Sequence, residues 1–581
     1  MNRKILAISL VFLFLTALGF RFALKDDGPP QKISRSEIYK NKIMAFCTPD
    51  WSLLNIDSLG SSITPLPGWG DYRWNIATPD DSARFYFNQG INMYYAFHII
   101  ESMASFKKAE QFDLNNPMIF WAQALAFGPN INDFAYVESA EAFALAQKAK
   151  SLSANSTPKE KALIDAMLVR YSSDTSLNRA TLNARYGAEM QKAYSNFNND
   201  ADVSTLYADA LLVQHPWEYW KHSGEAHPWT PEILSVLEKT LQLSPEHPGA
   251  NHYYIHATEA SNNPGRALAS ADRLGKLMPE VSHMVHMPSH IYIRTGNYDK
   301  GVRVNEMSVN GYNNYLKLYP AVVNNMPLYL IHNVHMQAAC AMFNPNYAYS
   351  FKSAMAARTS FDTAFLSLAA PLGSFIQYVY MTPEMVNVRY GKWNEILESP
   401  KLSDNHVYAK VLWHWAKGMA NANTGRMLAA QESLKKMKKN MEHPDLKIIL
   451  SPFNSVHSAG LVAQKLLEGT IFEKTGDMKK AIAAYREAKD FEDALIYTEP
   501  RDWLIPTRHY LASALIKTNA YAEAEKILIE DLKQNPSNYY ALQGLVNVSL
   551  LQKKDREASS YKRLLNEAFK QPDMTHPALL Y

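Results

Sequence analysis

Histidines gather in one stretch of this 581-residue chain, and their spacing suits metal binding. His252, His256 and Glu259 stand at i, i+4 and i+7, so on a helix, which turns about 100° per residue, they lie in one narrow stripe. Imidazoles and carboxylates presented together are ligands for zinc, iron or copper. This spacing predicts one wall of a transition-metal site.

A second group of histidines follows shortly after the first. His283, His286 and His290 have spacings of three and four residues. Pro288 favours the first turn of a helix. We therefore expect His290 to lie inside a helix and His286 in the loop before it, with these side chains forming the adjacent wall of the site.

Two more histidines, His332 and His335, stand at i and i+3 and could reach the same place from the next helix pair. A divalent ion would require neutral imidazoles, each oriented by a hydrogen-bond acceptor, and Glu306 and Asn333 are candidates for that part. The candidate metal ligands are His252, His256, Glu259, His283, His286, His290, His332 and His335.

The residue types do not determine which metal binds or whether it has a catalytic role. His and Glu suit zinc or iron, and Met284 and Met287 would favour copper if they were ligands instead of core residues. If the centre is catalytic, the ion needs an open coordination position, and Glu259 could serve as a base instead of a ligand. The alternative is a buried network in which the histidines only hydrogen-bond neighbouring polar groups.

Helical periodicity runs along the chain from Asp80 onward, while strand signals are nearly absent. A short turn recurs between helices, with a basic helix end, a Gly or Asn, and a small residue in the next helix. The small residue lets two helices cross closely. These turns occupy residues 294–301, 474–481 and 517–524. The pattern predicts an all-α superhelix of paired helices.

The repeat length supports the same architecture. Pro248 and Pro279 begin equivalent pieces 31 residues apart, close to the roughly 34 residues of a tetratricopeptide unit. The chain resembles tetratricopeptide-repeat proteins over most of residues 80 to 570. The resemblance is strong at 82–117, 249–307, 459–489 and 505–570, and degenerate at 310–395. Such a resemblance implies a solenoid with a concave binding face.

At finer grain the chain resembles a group of largely uncharacterised exported bacterial tetratricopeptide proteins. That resemblance implies the scaffold and no particular activity. The chain departs from the group's pattern around His98, where we expect Asn-His before the acidic residue. The residues that carry the resemblance are Gly128–Asn132, His215–Trp217, Pro228–Glu232, His247–Ser261, His283–Gly296, and His332 and Asn333 with His335.

Charge and the N-terminus bear on location and partners. With 59 Lys and Arg against 56 Asp and Glu, the net charge is +3, so nothing indicates nucleic acid as a partner. Arg3 and Lys4 precede an apolar run at residues 5–20, followed by small residues, which is typical of a cleaved export signal. An uncleaved membrane anchor is the alternative. We expect an exported protein, periplasmic or anchored facing the periplasm.

These observations divide the chain into four parts. Residues 1–24 form a signal peptide or anchor, 25–79 an irregular arm whose tryptophans pack onto the body, 80–395 a tetratricopeptide-like region with the histidine cluster, and 396–581 further repeats. The two cysteines, Cys47 and Cys340, either pair in an oxidising compartment or are buried thiols.

Residues 214–229 interrupt the helical rhythm with aromatics and prolines. Because this segment precedes the histidine stretch directly, it could form a lid or a pocket wall. The alternative is a cap over the gap between two imperfect repeats.

Three functions fit the sequence. The first is a scaffold whose concave face binds a peptide or protein partner beside a His/Glu metal site. The second is a metal-dependent enzyme, a hydrolase or an oxidoreductase, that uses this site. The third is a purely structural metal or polar cluster. Metal content and the lining of the concave surface distinguish them.

Overall fold

Helices build the described part of the chain. The computed structural model describes residues 51, 54–133, 136–318, 326–449 and 452–569, and within these ranges the β-structure is one isolated bridge between Trp220 and Ala226. The predicted all-α class is therefore confirmed. The abundance of Ala and Leu, which have high helix propensity, favours helices over strands here.

The first half of the fold leads from the arm to the histidine stretch. Its helices are α1 (Ile56–Ser62), α2 (Asp81–Tyr95), α3 (Ile99–Phe112), α4 (Pro117–Ala126), α5 (Ala140–Leu152), α6 (Pro158–Arg170), α7 (Arg179–Phe197), α8 (Ala201–Leu212), α9 (Thr230–Leu243), α10 (Pro248–Thr258), α11 (Leu268–Leu277), α12 (Ser282–His286), α13 (Pro288–Arg294) and α14 (Tyr298–Leu318).

The second half continues the helix pairs. Its helices are α15 (Met326–Ala341), α16 (Tyr347–Thr359), α17 (Leu372–Tyr380), α18 (Thr382–Arg389), α19 (Trp393–Glu398), α20 (Val407–Asn423), α21 (Met427–Met441), α22 (Val456–Lys474), α23 (Met478–Asp493), α24 (Thr507–Lys517), α25 (Tyr521–Gln534), α26 (Tyr539–Leu551) and α27 (Asp555–Ala568). Along both halves most helices pack mainly on the helices next to them in the chain, as in a tetratricopeptide-like solenoid.

The three predicted turns occupy the expected places. Gly296, Gly476 and Asn519 lie between helix ends and take positive φ angles of 78°, 85° and 62°. Glycine adopts this left-handed conformation without steric cost, and asparagine tolerates it better than most residues. Gly or Asn recurs at these positions because each turn requires a residue with a positive φ angle.

The arm packs onto the solenoid through its tryptophans. Trp69 lies against the rings of His98 and Tyr315, with centroids 5.4 and 5.1 Å away. Trp74 lies 5.4 Å from the ring of Trp121. Both tryptophans are buried, which agrees with the expectation that the arm does not float free.

Helix α10 brings the first histidine wall into the interior. Pro248 occupies its first turn, and the His247 ring accepts a hydrogen bond from the Ala250 backbone N–H at 3.2 Å. Every residue of the helix is buried. Glu259, which follows α10, keeps helical angles (φ −56°, ψ −38°), so the predicted stripe extends to it.

The position of His286 corrects one expectation. Pro288 does begin a helix, but His286 ends the short helix α12 instead of lying in a loop. Met287 joins the two helices with helical angles, because its N–H bonds to the His283 carbonyl and closes the preceding turn at 3.0 Å. His283, His286 and His290 therefore share one face.

Some expectations concern residues beyond the described ranges. The apolar run at residues 5–20 and Cys47 lie outside them. Cys340 is buried in a small cluster with Val302 and Ala341, where its thiol packs as an apolar group. Within the described ranges no helix is long and apolar enough to cross a membrane. The described residues belong to one compact unit, and the division at residue 395 stays a prediction.

Candidate metal centre

The two predicted histidine walls meet in the interior. The nearest ring nitrogens of His252, His256 and His283 lie within 4.8 Å of one another. A second triad, His286, His290 and His332, satisfies the same limit. Five of the six rings are buried, and His332 is partly exposed. Side chains from α10, α12, α13 and α15 thus converge on one place.

Backbone and amide oxygens orient two of these rings. His252 Nδ1 lies 2.7 Å from the Tyr95 carbonyl, and His286 Nδ1 lies 2.6 Å from Asn305 Oδ1. The Asn305 amide is fixed because its Nδ2 donates to the Gly301 carbonyl at 2.8 Å. Since each oxygen can only accept, both Nδ1 atoms carry the proton, and both Nε2 atoms present lone pairs.

Glu259 orients one ring of each triad. Its Oε1 lies 3.1 Å from His256 Nδ1, and its Oε2 lies 2.7 Å from His290 Nδ1. The carboxylate is buried, and Arg294 Nε donates to the Glu259 carbonyl at 3.2 Å. A carboxylate behind a metal-binding imidazole fixes the ring and raises its basicity.

The Nε2 atoms face each other across the centre. His286 Nε2 and His290 Nε2 are 2.7 Å apart, and His252 Nε2 and His283 Nε2 are 3.1 Å apart. His332 Nε2 lies 3.4 Å from His290 Nε2. Because Asn305 holds the proton of His286 on Nδ1, the lone pair of His286 Nε2 points at His290 Nε2. At this distance His290 Nε2 either donates a proton to that lone pair or shares a cation with it.

Burial keeps the rings neutral. Desolvation lowers the pKa of His256 to about 3 and that of His332 to about 4. Burial also lowers the pKa values of His286 and His290 well below the ordinary range, and the neighbouring imidazoles lower them further. Neutral imidazoles are the form that binds metal, so at neutral pH an ion can bind to these rings without first displacing a proton.

Glu499 is part of the centre and was missed by the sequence analysis. It lies between α23 and α24, accepts a short hydrogen bond from the Tyr497 hydroxyl and contacts His290 Nδ1. The Glu259 and Glu499 carboxyls are hydrogen-bonded to each other. Burial raises the pKa of both, and repulsion from Glu259 raises that of Glu499 further, so Glu499 holds the shared proton.

Other sequence candidates are not members of the two triads, although His335 lines the same cavity as four of the triad histidines. His335 is buried beside Tyr378, 5.0 Å between ring centroids, and belongs to none of the close ligand groups among the described residues. Asn333 donates to Ser282 Oγ at 3.2 Å, and it is Asn305 instead of Asn333 or Glu306 that orients a histidine. Burial lowers the pKa of His335 to about 3.

Two cavities meet at this centre. An inner cavity of about 220 Å³ is lined by His256, His283, His290 and His332, and a larger cleft of about 980 Å³ shares His256 with it. The aromatic segment at 214–229 is a pocket wall: Trp217 lines both cavities.

Trp217 is held firmly at the junction of the cavities. Its ring lies 5.6 Å from that of His256 and 5.7 Å from that of Phe453, and its Nε1 donates to Asn132 Oδ1 at 3.1 Å. Aromatic rings therefore form part of the wall that the two cavities share.

Comparisons with known proteins add little. No family model and no curated protein matches the chain. Among solved structures it is similar to the human IFIT1 dimer with m7Gppp-AAAA, at 13% identity, covering 85% of this chain and 91% of that one, with a TM-score of 0.30. The Cut9–Hcn1 hetero-tetramer of APC/C is 12% identical, with 85% of this chain and 74% of that one covered and a TM-score of 0.27. Yeast Tom70 is also 12% identical, with 84% of this chain and 93% of that one covered and a TM-score of 0.27. At these scores the likeness carries no argument about function.

Proposed function

We propose that this protein binds a transition metal at the histidine centre and uses it to act on a small molecule in the inner cavity. The observation that carries the proposal is the convergence of nitrogens from six imidazoles, with His286 Nε2 and His290 Nε2 2.7 Å apart. A cation between these two nitrogens would form two coordination bonds. A neutral His290 with its proton on Nε2 would form a hydrogen bond instead, and metal analysis distinguishes the two arrangements.

The types of ligand limit which metal ions can bind. Neutral imidazoles suit zinc, copper or iron. Met284 and Met287 are fully buried members of the apolar core, which removes the argument for copper from thioether ligands. Glu259 forms a third close ligand group with His256 and His290. We assign it to orienting these two rings, because each of its oxygens already lies at hydrogen-bond distance from a ring Nδ1.

The surroundings support a reactive centre over a structural one. Structural zinc sites are closed by four protein ligands, whereas catalytic sites keep one position open. Here three imidazoles converge in each triad, and four of the six rings line the inner cavity. Glu499, with its raised pKa and its place on the cavity wall, is suited to deliver a proton, while Glu259 is occupied by two ring N–H groups. A metal centre of this kind can catalyse hydrolysis or oxidation.

Metal analysis of the purified protein tests the proposal. We expect a stoichiometric transition metal, either as isolated or after loading with Zn²⁺, and its loss in the double variant His286→Ala, His290→Ala. His335→Ala is the matched control, because it removes a buried imidazole at the same cavity and should keep the metal. A protein that takes up no metal under any loading condition, or a double variant that retains it, would overturn the proposal.

A second candidate, capture of a peptide or protein partner, is favoured by the size of the outer cleft. Its lining includes Trp220, Asn262, Tyr497 and Arg501, side chains that commonly contact peptides. The cleft also contains His256, so it is not separate from the centre. An extended-peptide library should then bind the protein and lose affinity in Trp220→Ala, whether or not metal is present. Binding that disappears with the metal would favour the first proposal instead.

We also propose that the protein is exported. The support is the basic pair Arg3 and Lys4 followed by the apolar run at residues 5–20. Mass analysis of the protein recovered from cells should show a chain that begins near residue 20. A full-length chain in the membrane fraction would support the anchored alternative, and a full-length soluble chain would contradict export.

A further inference from the structure

Resting on the proposed function, we propose that the centre holds two metal ions, one in each histidine triad, which face a common cavity. The first triad is His252, His256 and His283, and the second is His286, His290 and His332. The two sets have no member in common. Each supplies the three imidazoles that a catalytic ion with one open position requires.

The number of donors is the first argument. A single four-coordinate ion would use three or four of the six imidazoles as ligands. The remaining two or three would be buried beside the ion without binding it. His256 Nε2 is such a case: it has no hydrogen-bond partner among the described residues, although the ring is buried and its Nδ1 is held by Glu259. A buried polar atom without a partner requires an explanation, and a second ion supplies it.

The spacing between the triads is the second argument. Ring centroids within the triads are separated by 4.6 Å (His286 and His332) to 6.4 Å (His256 and His283). Rings of different triads are equally close, with 6.0 Å between His256 and His290 and 6.2 Å between His283 and His286. Two ions bound in such adjacent triads would be near neighbours, as in two-metal sites with ions about 3.5–4 Å apart.

Glu259 is the third argument, because it ties the triads together. One carboxylate holds His256 of the first triad and His290 of the second through their Nδ1 atoms. The Nε2 atoms of both rings therefore point away from the same oxygen pair. Glu499, which is hydrogen-bonded to Glu259, and Asp502 lie on the wall of the cavity that both triads line.

The shared cavity indicates the class of substrate. His256 and His283 of the first triad and His290 and His332 of the second line the same 220 Å³ space. Its other walls include Leu328, Phe375, Tyr378 and Phe453. A ligand that fits is a small molecule with a largely apolar body and one oxygen-bearing group, which the two ions would hold between them.

Counting bound ions tests the inference. Titration of the metal-free protein with Zn²⁺ should saturate at two ions per chain. His283→Ala and His286→Ala, one change in each triad, should each reduce the count to one, and the control His335→Ala should leave it at two. One ion in the unaltered chain, lost in both variants, would overturn the two-ion inference and leave the proposed function standing. No bound ion would overturn both.

A measurement on the unaltered chain keeps the test decisive if the variants fail to fold. Cu²⁺ ions a few ångströms apart couple magnetically, so the fully loaded protein should show an electron paramagnetic resonance signal far weaker than its copper content. Two bound Cu²⁺ ions with the full intensity of isolated ions would contradict a shared centre.

Discussion

Helices α10 and α23 belong to the same architecture but bury their residues in different ways. In α23 the buried residues are Ala481, Ala484, Tyr485 and Ala488, one face of a helix whose other residues are exposed or partly exposed. In α10 all residues are buried, among them two histidines and an asparagine. An amphipathic helix needs only a partner for its apolar stripe, whereas a helix buried all round must satisfy its polar groups internally.

The difference shows which helix carries the free-energy cost of burying polar groups. Buried polar groups stabilise a fold only when all of them have partners. The α22–α23 pair packs a small residue, Gly469, against a large one, Tyr485. Around α10 the imidazoles are in the interior: Tyr95, Asn305 and Glu259 accept from three of the rings, while His256 Nε2 has no hydrogen-bond partner among the described residues. Stability thus rests mainly on packing in the α22–α23 pair and on polar partners around α10.

Acidification should produce the largest contrast between the two regions. The pKa values of His256 and His332 are lowered by burial from an ordinary value near 6.5 to about 3 and about 4. The unfolded chain therefore binds more protons below pH 6.5, and this part of the stability is present above pH 6.5 and lost as the pH falls toward 4. At pH 5.5 each such ring costs about 1.4 kcal/mol in the metal-free protein.

Urea unfolding of the metal-free protein at pH 7.5 and 5.5 measures the total loss. Hydrogen exchange followed by mass spectrometry locates it, and we expect α10 and α13 to lose protection before α23, which contains no histidine. Simultaneous loss of protection in all three helices would remove the distinction between the regions.

Removal of the Glu259 carboxylate should have the next largest effect. Glu259→Ala leaves the Nδ1 protons of His256 and His290 with one acceptor fewer, which should lower the free energy of unfolding by about 3 kcal/mol. Metal affinity should fall about 10- to 100-fold. Glu473→Ala is the matched control, since Glu473 also accepts from two groups, Tyr485 and Lys517. The control should keep its metal affinity, and an equal loss in both variants would contradict the role of Glu259.

Overpacking in the C-terminal region should have a moderate effect of a different kind. A Cβ at Gly469 would lie 2.5 Å from Cε1 of Tyr485, so Gly469→Leu should cost about 1–3 kcal/mol of stability. The number of bound metal ions should not change. Thermal melting together with metal analysis of the folded variant checks both statements, and loss of metal would show that the two regions are coupled.

A surface change in the C-terminal region should have the smallest effect. Leu428 on α21 is 84% exposed, so Leu428→Ser should change the free energy of unfolding by less than about 0.5 kcal/mol. Urea titration measures this value. A larger loss would indicate that the exposed face of α21 has a partner.

The sequence was sufficient for the scaffold and for the first histidine wall. Turn residues such as Gly296 and Gly476 occur at fixed offsets, and the spacing of His252, His256 and Glu259 defines one helical stripe. Both signals are local, so they can be read from neighbouring positions.

The remaining parts of the site depend on tertiary packing. Asn305 faces His286 while Glu306 does not, because one residue rotates a helix by about 100° and the sequence does not say which face meets the histidines. His332 reaches the cluster and His335 does not, although they stand one turn apart. Glu499 lies between helices, where periodicity carries no information.

The late position of Glu499 in the chain bears on how the protein matures. The six histidines are synthesised well before residues 494–506, which complete the wall of the inner cavity. An emerging chain would therefore expose its imidazoles to whatever ions surround it, without Glu499 and the rest of that wall. Loading with the proper ion should follow release of the complete polypeptide, and a prematurely terminated product should be poor in metal even where its histidines are intact.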